Sequence, residues 1–383
     1  MKKIILTLVP LLIVACLTAT HLTPMELGNG LDLSYGGEFR TRAILNNDPA
    51  ENDGGWLDNR LQFNLAAKLG QQIGLGWSTD LGDFVWENFG NKPPALETRE
   101  LYMDYQLKCL DMKIRMGQQY WYDHRSLILD DYFSGITGDL TLSGIPIELG
   151  YVKGHEGLKD KQDDEYSVFG NIVFKTPIDW GVMAMFGQNH LFKYSDIWLM
   201  PYITMNLAPV NIDLTVVINE QLYNDDYYND DSKTGVAVSA KVEYENNFKL
   251  GGDFLVVTQD GIHTLSPYYV NGLYLFGNQL PYDGVQISTD YNGWTDEDGD
   301  PVAYLSLVGT ASYPINNKLD IYGAIGMANA DKLIGFEMNM GLNYKVIDHL
   351  TFNPVLAIGQ TGEQIDHDTN LVYLLGGLLK AEF

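Results

Sequence analysis

Cysteine is almost absent: the 383 residues hold two, at positions 16 and 109. Once the N-terminal leader is removed only Cys109 is left, which excludes an internal disulfide framework and a cysteine-based metal or cluster site. Basic residues are scarce as well. Lys and Arg number 24 against 50 Asp and Glu, for a formal net charge of −26. Such a balance repels a phosphate backbone and argues strongly against nucleic acid as a partner. Past the leader there is no apolar run of the roughly 18 residues that a membrane helix needs. The histidines at 124, 155, 190, 263, 349 and 367 fall in or beside separate turns, with no serine or carboxylate spacing that forms a triad. An enzyme is not expected.

The leader sets the compartment. Met1-Lys2-Lys3 is a short basic start, followed by the apolar run Ile4 to Leu17 and a small polar stretch around Ala19-Thr20. This is the layout of a secretory signal peptide, residues 1–19, cleaved near Ala19. Ile13-Val14-Ala15-Cys16 also fits a lipobox, which would leave a lipidated Cys16. Residues 20–30 follow as a periplasmic N-terminal segment.

What the chain does have is glycine (39), tyrosine (24) and, along its whole mature length, period-2 alternation. Ile212, Leu214, Val216 and Ile218 interleave with Asn211, Asp213, Thr215 and Asn219. Phe336, Met338, Met340, Leu342 and Tyr344 do the same against Glu337, Asn339, Gly341, Asn343 and Lys345. Successive side chains on a strand point to opposite faces, so one face is apolar and the other polar. Strands are expected near 31–44, 56–69, 72–86, 98–107, 111–119, 130–142, 145–154, 165–175 and 178–187. A second set is expected near 194–207, 209–219, 235–244, 247–258, 302–313, 318–327, 334–345, 349–359 and 370–383.

A soluble sandwich alternates too, but its connections do not. Here every second connection is a tight turn, such as Gly70-Gln71, Ser143-Gly144, Pro177 or Ile347-Asp348. Those between are mostly long and polar, such as 154–165, 219–235, 259–301 and 360–370. Short turns at one rim and long loops at the other point to an all-β fold, a single transmembrane antiparallel barrel of about 18 strands over residues 31–383. The last strand puts Tyr373, Leu375, Gly377, Leu379, Ala381 and Phe383 on one face and ends on an aromatic residue. That is a common terminus of outer-membrane barrels and a cue for the barrel-assembly machinery. The first strand should pair with the last, because an open edge in lipid leaves backbone groups unsatisfied.

Several short stretches resemble the alginate-export type of outer-membrane porin. They are Gly37-Glu38-Phe39-Arg40-Thr41-Arg42, Asp58-Asn59-Arg60-Leu61, Arg99-Glu100-Leu101-Tyr102 and Lys113-Ile114-Arg115-Met116-Gly117-Gln118-Gln119. The resemblance covers mainly residues 31–150. It implies 18 strands in the outer membrane and passage of a saccharide or small organic acid. Gln118 stands where related proteins tend to have Arg.

Charge placement adds candidate sites. All six arginines lie between positions 40 and 125. By alternation Arg40, Arg42, Arg60, Lys113 and Arg115 share the polar face with Glu38, Asp58, Asp80 and Asp104. A charge facing lipid at mid-depth costs roughly 2–4 kcal/mol, so these groups should face the lumen. Either they attract anionic groups of a permeating solute, or the acids cancel them and the network braces the wall. Most of the acidity falls in the expected loops, facing solvent or bridging through divalent cations to the lipopolysaccharide surface. Asp296, Asp298 and Asp300, spaced like the start of a calcium loop, are either a Ca2+ site or a plain acidic turn; no other cofactor is expected. The long segment 259–301 holds Tyr268-Tyr269, Leu273-Tyr274-Leu275-Phe276 and Trp294. It either folds inward as a constriction or packs outside as a cap. The expected role is a channel for small polar solutes. The alternative is a conduit whose lumen encloses a partner protein such as a periplasmic cytochrome; with no CxxCH in the chain, the haem would be the partner's.

Overall fold

A computed structural model describes residues 25–26, 30–47, 54–85, 96–155, 165–176, 178–190, 193–223, 232–258, 261–277, 303–330, 332–362 and 370–383. After a two-residue strand β1 (Met25–Glu26) come β2 (Leu31–Asn47), β3 (Gly54–Leu69), β4 (Ile73–Val85), β5 (Leu96–Leu107), β6 (Met112–Tyr122) and β7 (Asp130–Leu142). They are followed by β8 (Ile145–His155), β9 (Glu165–Phe174), β10 (Asp179–Asn189), β11 (Tyr194–Leu207), β12 (Val210–Tyr223) and β13 (Lys233–Glu245). The last are β14 (Lys249–Val257), β15 (Tyr304–Asn316), β16 (Leu319–Ala330), β17 (Lys332–Ile347), β18 (Leu350–Thr361) and β19 (Leu371–Glu382). Each of β2–β19 pairs antiparallel with its chain neighbours, and β19 pairs back onto β2. The sheet is a closed barrel of 18 strands.

All 18 expected strands are present, with ends displaced by a few residues. The seam joins the first strand to the last as expected, with Gly377 opposite Ala43. Phe383 finishes it: its N–H donates to Gly37 O at 3.0 Å and its carbonyl accepts from Gly37 N at 2.9 Å. β1 lies on the part of β2 that β19 does not reach, with Met25 opposite Leu33. One connection at the long-loop rim is shorter than expected. β16 and β17 are separated by a single residue, because their ladder continues to Ala330 and Lys332.

Burial runs opposite to that of a soluble protein. On β17 the apolar Phe336, Met338 and Met340 are 49%, 60% and 55% exposed, whereas Glu337 and Asn339 between them are buried. The same inversion holds on β12, where Leu214 and Ile218 are exposed and Thr215 and Asn219 buried. An apolar exterior around a polar interior suits a lipid belt. Aromatic residues flank it. Phe174 and Trp180 stack at 4.1 Å at the short-turn rim, and Tyr120 and Tyr132 lie 5.2 Å apart near the long-loop rim.

The buried apolar clusters lie inside the barrel. One gathers Leu127, Ile128, Leu129, Phe169, Trp198, Met200, Leu255 and Ile262; the other gathers Ile44, Leu273, Tyr274, Leu275, Phe276, Ala328 and Leu374. Both are built by connections that turn into the lumen, residues 123–129 between β6 and β7 and residues 261–277 after β14.

Candidate functional site

Two surfaces face each other across the lumen. The first is the wall of β2–β6, where strand alternation and register carry the basic residues inward. Asp104 on β5 sits opposite Arg115 on β6, and Arg42 on β2 opposite Asp58 on β3. Each pair closes into an ion pair. Arg42 Nη2 lies 3.0 Å from Asp58 Oδ2, Arg60 Nη2 3.1 Å from Glu38 Oε1, and Arg99 Nε 3.0 Å from Asp80 Oδ2. Asp104 takes two partners, Arg115 Nε at 2.7 Å and Lys113 Nζ at 3.2 Å. Lys380 on β19 bridges Glu38 at 3.0 Å and Glu382 at 2.9 Å, carrying the network across the seam.

The structure therefore brings Arg40, Arg42, Arg60, Lys113 and Arg115 onto one interior surface with Glu38, Asp58 and Asp104. Exposure separates them. Arg40 and Arg42 are buried, while the side chains of Arg60, Arg115, Arg99 and Lys113 are 19%, 25%, 32% and 43% exposed. Arg115 also lies over the Tyr102 ring, 3.7 Å from its centroid, a cation–π contact that fixes the guanidinium plane. Arg99 was not among the residues expected here, because simple alternation puts it on the face of Leu101, whose side chain points outward. A register shift between Ser78 and Thr79 of the paired β4 inserts one extra residue in β5 and turns Arg99 inward.

The second surface is made by the two inward segments, which cover the lumen side of β11–β19. In segment 123–129 the Asp123 carboxylate accepts the N–H groups of Leu127, Ile128 and Leu129 at 2.9, 2.6 and 2.7 Å. His124 Nε2 lies 2.9 Å from Asp213 Oδ1 on β12. Arg125 donates to Ser239 Oγ at 3.1 Å and pairs with Asp253 Oδ2 on β14 at 2.7 Å. Burial pushes Asp123, which lies outside the strands, up to about 7 despite those three N–H bonds.

Segment 261–277 follows the interior wall. Its His263 Nδ1 is 2.9 Å from Asp196 Oδ2 on β11, and its carbonyl accepts Trp198 Nε1 at 2.8 Å. Leu265 N–H then donates to Ile128 O at 2.9 Å, tying one segment to the other. Further on, the Glu337 carboxylate of β17 accepts the N–H groups of Tyr274, Leu275 and Phe276 at 2.8, 2.8 and 3.3 Å. Asn339 donates to Glu337 Oε1 at 2.7 Å and to Gly272 O at 2.9 Å. The Phe276 ring seats on glycines of the wall: a Cβ at Gly335 would fall 2.3 Å from it, and one at Gly359 2.8 Å. The described part of the long loop thus lies inside the barrel. Asp296, Asp298 and Asp300 lie outside the described residues.

Segment 123–129 had no periodic signal and no unusual length. Its trace in the sequence was Asp123-His124-Arg125, three charged or titratable residues between two strands. Glu337 and Asn339 read simply as the polar face of a strand.

No family model matches the chain, and no curated protein does. Solved structures do match in fold. OpdK of Pseudomonas aeruginosa, crystallised with vanillate, superposes with a TM-score of 0.60 at 10% identity, covering 91% of this chain and 98% of that one. OccK3 (OpdO) of the same organism gives 0.59 at 12%, over 92% and 95%. The outer membrane channel DcaP of Acinetobacter baumannii gives 0.54 at 13%, over 94% and 100%. The chain has the outer-membrane porin fold. At this identity the likeness speaks for the fold of the barrel and not for the alginate-export type or any other.

Proposed function

We propose that this chain is a channel of the bacterial outer membrane through which small polar solutes, saccharides or organic acids among them, diffuse or are exported. It is not an enzyme in this reading, and its standing partners are lipid, lipopolysaccharide and the assembly machinery that handles a barrel ending in Phe383. The observation that carries the reading is the strip of Arg60, Arg99, Lys113 and Arg115 left exposed to the lumen while segments 123–129 and 261–277 cover the opposite side. Arg115 uses Nε and Nη2 on Asp104, and its Nη1 carries two further donors suited to a carboxylate. The similarity to OpdK, crystallised with vanillate, a carboxylate, favours the same solute class. The finer resemblance to the alginate-export type rests on these same strands and makes a uronic acid the natural probe. A lumen lined by the chain's own segments works against the conduit reading, which needs room for a folded partner.

The test is single-channel recording in planar bilayers with the heat-modifiable, folded barrel. Discrete conductance steps that are partly blocked by galacturonate or vanillate, and not by an uncharged sugar of equal size, are expected. A folded barrel that passes no current sinks the channel reading; one blocked equally by charged and uncharged solutes removes the organic acids from it.

A further inference from the structure

Deep in the lumen, β11, β12 and β14 each point an aspartate inward: Asp196, Asp213 and Asp253. Lys241 on β13 stands between Asp213 and Asp253 in the ladder but pairs with Glu243 at 2.9 Å, so without further cover this side would still carry net negative charge facing the basic strip of β2–β6. The three aspartates are not bare. Each is met by a basic side chain from an inward segment: Asp196 by His263 at 2.9 Å, Asp213 by His124 at 2.9 Å, and Asp253 by Arg125 at 2.7 Å.

We propose that Arg125 is a selectivity-determining residue, a charge screen that segment 123–129 holds over Asp253 so that the basic strip opposite decides which ions pass. The local geometry is built for that delivery. Arg125 and Ser126 both take left-handed backbone angles, φ 74° and 57°, which non-glycine residues adopt only when their surroundings impose it. Asp123 imposes it by gathering the three N–H groups that follow the turn. The turn throws His124 onto Tyr202 of β11, stacked at 4.0 Å, and sends Arg125 across to β13 and β14. Arg125 then joins the wall to the other inward segment, touching Ser239 and Asp253 of the wall and Tyr269, whose hydroxyl it reaches at 3.4 Å. Tyr269 also donates to Asp253, so the carboxylate is held from both segments. Its side chain is 5% exposed and that of Arg125 10%, so the pair is largely shielded from water and cancels charge where screening by salt is weakest. Nearby acids lack this cover. Asp139 and Glu148 stand directly opposite each other on β7 and β8, and Glu148 is met by the uncharged Trp121 Nε1 at 2.6 Å. Among the described residues, segment 123–129 brings its arginine to Asp253 and not to Asp139 or Glu148.

The inference rests on the barrel conducting ions, and a charge cycle separates the two claims. Reversal potentials are measured in a tenfold KCl gradient for the full chain and for Arg125→Gln, Asp253→Asn and the double variant, each shown to be folded by heat-modifiability. Arg125→Gln bares one negative charge and should lower the chloride-to-potassium permeability ratio by roughly threefold, the effect of one unit charge several ångströms from an ion in water. Asp253→Asn leaves one positive charge and should raise the ratio by a similar factor. The double variant, with neither charge, should return to the parent value. If Arg125→Gln fails to fold, Arg125→Lys, which keeps the charge and should leave the ratio unchanged, and Asp253→Asn, which should raise it, carry the test. Single variants that move the ratio in the same direction, or a double variant that does not return, overturn the screen and leave Arg125 a structural brace. A folded parent with no conductance overturns the channel reading and the screen with it.

Discussion

The wall of β2–β6 and the interior of β11–β19 are made of the same kind of strand, yet they solve the problem of buried charge differently. On β2–β6 Glu38, Asp58, Asp80 and Asp104 find basic partners on neighbouring strands, as Asp104 does in Arg115 and Lys113. Arg42 and Asp58 are buried, while Arg60, Arg99, Lys113 and Arg115 leave part of their surface to water. On the other side the acids sit on β11, β12, β14 and β17, and their partners arrive from segments that cross the lumen. Asp253 meets Arg125, and Glu337 meets three backbone N–H groups. Pairing within the sheet leaves a surface; pairing with an inserted segment fills a volume. The difference explains why the apolar clusters gather around the inserted segments, because an inserted segment has to bury its own backbone and brings Leu273, Leu275 and Phe276 to do it.

The largest effect should come from breaking the filled side. Glu337→Ala removes the acceptor for Tyr274, Leu275 and Phe276 and leaves three buried N–H groups without it, at a cost of about 3–5 kcal/mol to the seating of residues 272–276. The barrel ladder does not depend on this contact, so heat-modifiable folding should persist. Single-channel conductance should rise and amide protection at Tyr274 to Phe276 should fall. Unchanged conductance with lost protection would mean that this stretch does not narrow the path.

The contrast between the two sides also marks what could be read without coordinates. Alternation carries the exterior because lipid punishes every departure from it, so Phe336, Met338 and Met340 announce their face unaided. The same rule placed Arg40, Arg42, Arg60, Lys113 and Arg115 inside. It failed at Arg99, where a bulge shifts the parity, and bulges leave no compositional mark. It also left Gln118 open to misreading. The register puts Gln118 opposite Leu101 and Ser134 on the outward face, where it donates to Thr98 O at 3.2 Å. The absence of an arginine there therefore says nothing about the lumen. Segment 123–129 was invisible because its structure comes from contacts with strands about a hundred residues away, Asp213 and Asp253 among them. Long-range pairing of a short connection has no local period to find.

A smaller effect should come from the open side. Arg99→Gln, Lys113→Gln and Arg115→Gln together remove three positive charges from the exposed strip and leave Asp80 and Asp104 less compensated. At roughly 0.5 kcal/mol per charge for an ion about 8 Å away in water, the sum approaches 1.5 kcal/mol. The chloride-to-potassium permeability ratio should fall on the order of tenfold, and block by galacturonate should weaken. Arg40→Gln and Arg42→Gln, whose side chains are buried, should change it much less. Equal effects per charge from the two buried and the three exposed residues would show that the wall acts as a whole through its net field and not through the exposed strip.

The smallest effect is a pH dependence confined to the filled side. Burial raises the Asp123 carboxyl from its ordinary value of 3.8 to about 7, against the three N–H bonds and the nearby His124 that lower it. If segment 123–129 leaves its seat, Asp123 meets water and regains its ordinary acidity. A group whose packed pKa is raised favours the packed state when protonated. Its contribution is whole below pH 3.8 and is lost as pH rises through about 7. Between pH 6 and 8 the seated segment should therefore lose roughly 1 kcal/mol relative to the released one. The expected sign is more frequent opening noise at pH 8 than at pH 6 in single-channel records. Asp123→Asn, which keeps an acceptor oxygen without the charge, should flatten that step and leave the ion pairs of β2–β6 untouched. If Asp123→Asn shows the same rise as the parent, the pH dependence arises in another group and Asp123 holds the turn without sensing protons.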